Sequence, residues 1–242
     1  VRSIWFWIII VFVIGIGVLL NPWWQQDWRS ADRSSAGIAP NPRENKQAIV
    51  QIYMARTFGW RGIFAVHTWI AIKEKNAAHY KVYQVIGWRK YRDQSVLSVM
   101  DDIPDRKWFN HKPKVILTLQ GEQAEHAIAQ IRQAVNHFSA SNNYHLWPGP
   151  NSNSFVAYVV RQSPALATVL PGLAIGKDYL PWGQFLVKAP SGTGYTLSLL
   201  GILGLTFAKQ EGLEVNLLGL VFAFNVYPPR LSLPLIGSLL GN

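Results

Sequence analysis

The chain has 242 residues, of which 49% are hydrophobic and only 15% charged, with a formal net charge of +10 and no cysteine. Its length suits one substantial domain with appendages, and its charged share falls below the roughly 25% of an ordinary soluble domain. The missing cysteine excludes disulfides, thiolate metal sites and cysteine nucleophiles.

The positive charge is uneven. Residues 29–114 hold 16 of the 23 Lys and Arg against 7 Asp and Glu. A basic stretch of this kind predicts an anionic neighbour, either lipid headgroups of a bilayer or a cell-wall polymer. Nucleic acid is a poor partner, since no recognised binding motif accompanies the charge.

Residues Ile4 to Leu20 are apolar throughout. At 1.5 Å per residue a helix of that length spans roughly 25 Å, close to the hydrocarbon thickness of a bilayer. Trp5 and Trp7 stand at one end and Trp23, Trp24 and Trp28 at the other, as in an interfacial aromatic belt. The pattern predicts a transmembrane anchor over 1–24, in a single-pass inner-membrane protein. The run is longer than the apolar region of a cleaved signal peptide. Arg2 precedes it and Arg29, Arg33, Arg43 and Lys46 follow it, so the positive-inside rule taken literally puts the body in the cytoplasm.

Residues 25–46 are rich in Ser, Gly, Pro and Asn and read as a linker. A core domain is expected over 47–192. It opens with strand-like runs at Ile49–Ala55, Ile63–Lys73 and Tyr80–Trp88, rich in Val, Ile, Tyr and Trp. Asp101, Asp102 and Asp105 form an acidic loop without the spacing of a calcium loop. Val115–Leu119 is a further strand. Glu122–Phe138 has the 3.6-residue spacing of an amphipathic helix, with Ala124, Ala127, Ile128, Ile131, Val135 and Phe138 on one stripe. His126 and His137 share that helix, too far apart for a metal pair.

Trp147-Pro148-Gly149-Pro150 is a rigid turn feeding a second helix that ends before Pro164, with Asn151 or Ser152 as its N-cap. Residues 164–192 are interrupted by Pro and Gly, and Lys177-Asp178 within them read as an exposed ion pair. The tail, 193–242, is apolar and glycine-spaced. Its arms Leu197–Phe207 and Leu213–Val226 flank Lys209-Gln210-Glu211-Gly212 and are too short to span a bilayer. They predict a hairpin packed on the core or the membrane.

Two positions suggest chemistry. His67 lies on a strand, and its ordinary pKa suits proton transfer at neutral pH. Ser152 lies at a helix N-terminus, where the helix dipole and free N–H groups stabilise developing negative charge. A Ser152 nucleophile with His67 as base forms a candidate dyad, with Asn151, Asn153 and His79 as orienting or oxyanion groups. The alternative is architectural: the Asn-Ser-Asn turn caps the helix, and His67 is a buried, bonded strand residue. No phosphate loop, nucleotide motif or Gly-x-Ser-x-Gly elbow is present, and the sequence points to no cofactor and no metal.

The strings Arg61-Gly62-Ile63-Phe64-Ala65-Val66-His67-Thr68-Trp69-Ile70-Ala71, Tyr83–Trp88, Trp147–Phe155, Ala174–Tyr179 and Glu211–Leu220 resemble a bacterial family, domain of unknown function thirty-seven-fifty, over roughly residues 48–240. The order of His67 and Asn151-Ser152-x-x-Phe155 is similar to that in permuted papain-like proteins, the NlpC-type hydrolases and the lecithin-retinol acyltransferase group. Serine stands where those families carry cysteine. The likeness implies an α+β fold, a small antiparallel sheet with packed helices in permuted papain-like order, beside the transmembrane helix, and a periplasmic body. Two functions are expected: a non-catalytic binding or assembly module of the bacterial cell envelope, or an envelope hydrolase or acyltransferase acting on an amide or ester.

Overall fold

The computed structural model describes residues 27–138, 143–227 and 229–240. They form two antiparallel sheets, one of five strands and one of seven.

The first sheet consists of β1 (Ile49–Arg56), β2 (Val66–Lys73), β3 (Lys81–Val85), β4 (Leu97–Asp101) and β5 (Lys114–Gln120), in the order β4-β3-β2-β1-β5. β2 is buried at every position, as expected of a strand covered on both faces. Successive side chains alternate across the sheet. Val50, Ile52, Ile70 and Ile72 turn to one face, where they meet helices α1 (Glu122–Asn136) and α2 (Ser152–Gln162). Ile49, Tyr53, Trp69, Ala71 and Val82 turn to the other, where Trp108 packs against them. The register sets Tyr53 opposite Trp69, and their rings stack at 5.5 Å.

Residues 27–46 are coil, but they are tied to the core. Asp105, buried, accepts from Ser35 Oγ at 2.7 Å and from the backbone N–H groups of Ile38 and Ala39 at 2.7 and 3.2 Å. Tyr80 donates to the carbonyl of Pro40 at 2.9 Å. The segment is a strap across the far face.

The second sheet is a meander of β6 (Leu186–Lys188), β7 (Gly194–Leu199), β8 (Leu203–Ala208), β9 (Gly212–Leu217), β10 (Leu220–Asn225), β11 (Arg230–Leu233) and β12 (Gly237–Leu240). Its pattern is the reverse of a half-buried sheet. The inward positions include Thr196, Ser198, Thr206, Glu214, Asn216 and Ser232, all buried, beside the smaller apolar set Ala208, Val221 and Ala223. The outward positions are leucines and aromatics aligned across strands. One row runs Tyr195, Phe207, Leu213, Phe224; the next runs Leu197, Leu205, Val215, Phe222. Phe207 is 77% exposed.

The structure departs from three expectations. The fold is not one small sheet with packed helices in papain-like order; it is sheet-rich, with a second and larger sheet in the C-terminal region. The tail is a meander because each apolar arm folds back on itself. Leu200-Gly201 and Leu218-Gly219 both have positive φ, at 53° and 72° and at 56° and 85°. Two central residues of positive φ make the tight hairpin turn usually written Asn-Gly. Leucine in the first place disguised the turn as continuous apolar chain. Finally, no helix among the described residues is long and apolar enough to cross a membrane, which removes the structural support for a single-pass inner-membrane protein with a periplasmic or cytoplasmic body. The run Ile4–Leu20 lies outside the described residues.

A left-handed leucine carries a steric cost of roughly 1–2 kcal/mol that asparagine largely avoids. Leu218→Asn is therefore expected to raise stability by about 0.5–1 kcal/mol in chemical denaturation. A loss of stability would contradict the turn geometry.

Candidate functional site

Ser152 is the first residue of α2, but it is not the cap. Asn151 is extended, and its Oδ1 accepts from the N–H groups of Asn153 and Ser154 at 2.9 and 3.2 Å. Ser154 Oγ receives the Asn151 N–H at 2.6 Å, completing a capping box. The N–H groups of Asn153 and Ser154, which an oxyanion hole at this turn would draw on, are thus taken up by the helix's own cap. The Ser152 carbonyl accepts from Thr68 Oγ1 at 3.3 Å.

That contact places the candidate dyad. Thr68 faces α2, so its neighbour His67 faces the opposite side of the sheet. There the His67 ring stacks on Trp108 at 3.7 Å and lies 5.6 Å from the ring of Trp69. Its Nε2 donates to Gln84 Oε1 at 3.1 Å. Burial outweighs that hydrogen bond and lowers its pKa to about 4, so at neutral pH it is an uncharged packing residue. The structure does not bring His67 and Ser152 together. His79 is exposed between β2 and β3, at the other end of the sheet.

Asn151 and Asn153 act as connectors. Asn153 Oδ1 accepts from Thr68 Oγ1 at 2.9 Å, and its Nδ2 donates to the carbonyls of Val66 at 2.9 Å and Ile175 at 2.8 Å. Asn151 Nδ2 donates to Leu146 and Ile175, both at 3.1 Å. Gly176 follows with φ +96°, and a Cβ there would meet the Asn151 amide at 2.5 Å. The pair pins the segment leading to Lys177 and Asp178.

Those two residues form a site that their exposed reading in the sequence missed. Lys177 and Asp178 are 2% and 3% exposed. Lys177 Nζ contacts Asp178 Oδ1 at 2.9 Å and Glu214 Oε2 at 2.6 Å. Glu214 Oε1 also meets Arg230 Nη2 at 2.5 Å. Asn216 Nδ2 donates to Asp178 Oδ2 at 2.9 Å, and Arg161 Nη1 donates to the Lys177 carbonyl at 3.1 Å. Burial pushes the Lys177 ammonium down, but Asp178 and Glu214 outweigh it and hold its pKa above the ordinary lysine range. Burial pushes Asp178 up, but Lys177 and Arg161 outweigh it and hold the carboxyl below its ordinary range. Both partners stay charged. With Glu211, which binds Ser191, the cluster balances three cations and three anions.

The acidic loop is likewise committed. Asp101 pairs with Lys81 at 2.8 Å and Asp102 pairs with Arg106. A groove of about 500 Å³ beside it is lined by His79, Tyr80, Asp101 and Asp105 among others. Among the described residues no group of His, Asp or Glu is placed to hold a metal ion. His126 binds Gln130 on its own helix.

A second feature gathers where the β1–β2 and β3–β4 connections meet. Each holds a short Gly-Trp-Arg helical turn, Gly59–Ile63 and Gly87–Arg92. Trp60, Trp88 and Tyr91 are exposed there, Tyr91 to 89%. Arg61, Lys90 and Arg92 are exposed beside them, and none makes an ion pair among the described residues.

Fold and site together define a two-sheet protein whose second sheet is locked to the first by a buried ionic cluster and turns its apolar side outward. The chain belongs to the family described as protein of unknown function (DUF3750), whose model matches residues 47–179. The match ends just past the Lys177-Asp178 pair, so the second sheet lies beyond it. Neither a curated protein nor a solved structure matches the chain, and no finding supports the likeness to permuted papain-like hydrolases.

A buried neutral histidine makes stability pH-dependent. The unfolded chain binds a proton near the ordinary pKa of 6.5, whereas folded His67 binds one only near 4. Its contribution is therefore fully present above about pH 6.5 and is lost as pH falls toward 4, amounting to about 3 kcal/mol. His67→Gln is expected to flatten the stability profile across that window. An unchanged slope, or an imidazole titrating near 6.5 by NMR, would contradict the buried placement.

Proposed function

We propose that this protein is a non-catalytic binding or assembly module. The observation that carries this reading is the alternation along β2: Thr68 meets α2, while His67 lies across the sheet under Trp108. A serine hydroxyl has no accessible ionised form at neutral pH and needs a base beside it to act as a nucleophile. The hydrolase or acyltransferase alternative leaves Ser152 without one.

Binding is through surfaces. The unpaired Arg61, Lys90 and Arg92, set among Trp60, Trp88 and Tyr91, suit an anionic partner, lipid headgroups or a cell-wall polymer. Tryptophan and tyrosine beside basic groups favour an interface between water and an apolar phase. The envelope of a bacterial cell offers such partners.

A serine-directed fluorophosphonate probe is expected to label wild type and Ser152→Ala equally weakly. Labelling of wild type that disappears in Ser152→Ala would overturn the reading. On the stability side, Asn151→Ala should cost about 1 kcal/mol or more through the lost cap, while Ser152→Ala stays within about 0.5 kcal/mol.

A further inference from the structure

We propose that the outward face of the second sheet rests on the hydrocarbon layer of a lipid membrane, from one side and without crossing it. The inference rests on the binding-module reading and names the partner of a surface that reading leaves open.

The face is continuous. Register places Leu197, Leu205 and Phe222 in one row and Leu199, Leu203 and Leu217 in the next. All six are exposed. Large side chains exposed to this degree over four strands offer roughly 1,000 Å² of apolar surface, beyond the few hundred of an ordinary monomer. The strands are hydrogen-bonded to each other across the sheet, so the main chain presents few unsatisfied groups to an apolar phase.

A protein partner is the weaker occupant. Protein interfaces carry about one hydrogen bond per 100–200 Å². The cross-strand rows offer one polar side-chain group, the Tyr195 hydroxyl. Nothing on the face sets the register of a second copy, and copies carrying +10 each repel. Acyl chains require no polar contact.

The perimeter fits the same occupant. Tyr195 ends the outermost row at 59% exposure, and Trp182 and Tyr227, in the connections before β6 and after β10, are 76% and 81% exposed. Aromatic side chains with a polar tip settle at the level of lipid headgroups. At the turn end of the sheet, Trp147 Nε1 donates to the Leu218 carbonyl at 3.0 Å and Arg56 Nη2 donates to the Leu235 carbonyl at 3.2 Å. These bonds join the face to the end of the molecule that carries the unpaired arginines and lysine. Their charge complements anionic headgroups.

The absence of native cysteine makes the test clean. Single-cysteine variants Leu205→Cys and Phe222→Cys of the full chain, with Gln123→Cys on the exposed side of α1 as reference, are spin-labelled. They are mixed with vesicles of phosphatidylglycerol and phosphatidylcholine in equal parts. Collisions of each label with oxygen, which concentrates in hydrocarbon, are compared with collisions with a water-soluble nickel chelate. Labels at 205 and 222 are expected to show an oxygen-to-nickel ratio several-fold above that at 123. Because the readout is local to each label, residues 4–20 do not contribute to it. A ratio equal to that at 123 means that the face stays in water, and overturns the proposal. Exclusion of both reagents, with spin–spin broadening between labels, means that a second copy covers it, and also overturns the proposal. Folding of each variant is checked by circular dichroism; Leu197, Leu203 or Leu217 replaces a position that misfolds. Serine catalysis would leave these ratios unchanged, so failure here and failure of the binding-module reading are told apart by the fluorophosphonate result.

Discussion

The contact of Lys177 with Asp178 and Glu214 is the constraint on which the rest of the structure depends. Taking an ion out of water costs several kcal/mol, which only close partners and further hydrogen bonds offset. The cluster has them: Arg230, Arg161 and Glu211 complete the charge balance, while Asn216 and Ser198 bond Asp178 through its carboxylate and its carbonyl. Such a cluster requires a polar wall. The second sheet supplies it with Thr196, Ser198, Thr206, Glu214 and Asn216 on its inward side. Alternation then does the rest. With the polar residues committed inward, every second position points out, and those positions hold Leu, Phe and Tyr. The exposed apolar face follows from the buried ionic one.

The asparagines of the α2 turn belong to the same construction. A cap normally serves its own helix; here Asn151 and Asn153 also hold the Ile175 carbonyl. That bond sets where Lys177 and Asp178 emerge. The first sheet, α2 and the ionic cluster are therefore linked in series. A sequence motif that looks like half of an active site does structural work at a junction between two sheets.

Much of the first sheet was legible in the sequence. The runs that became β1, β2, β3 and β5 are rich in β-branched and aromatic residues, and the stripe of Ala124, Ala127, Ile128 and Ile131 marked α1. β4 was missed, because Leu97–Asp101 runs into the acidic loop and the adjacent Val99 and Met100, exposed on opposite faces, give no alternation. The second sheet was legible as a single apolar hairpin and not as seven strands. Its turns use leucine where asparagine is usual, and its burial pattern is inverted, so hydrophobicity marked the wrong side. The site was hardest to read. Residue order cannot tell which face of a strand a side chain takes, and a shift of one residue, from Thr68 to His67, decides whether β2 offers α2 a hydroxyl or an imidazole. Lys177 and Asp178 read as exposed because adjacent opposite charges in a loop usually are. Their partners, Glu214 and Arg230, lie 37 and 53 residues beyond Lys177 and come close only through the meander.

The account is tested most directly by a double-mutant cycle on the link between the two sheets. Stability is measured by denaturation for wild type, Lys177→Met, Glu214→Leu and the pair. If the ionic contact holds the sheets together, each single change leaves a buried charge without its partner and costs roughly 3–5 kcal/mol. The double variant is then less destabilised than the sum by about 2 kcal/mol or more, beyond the ~0.5 kcal/mol expected of independent sites. Additive losses, or single variants as stable as wild type, would show that the second sheet is not seated on Lys177.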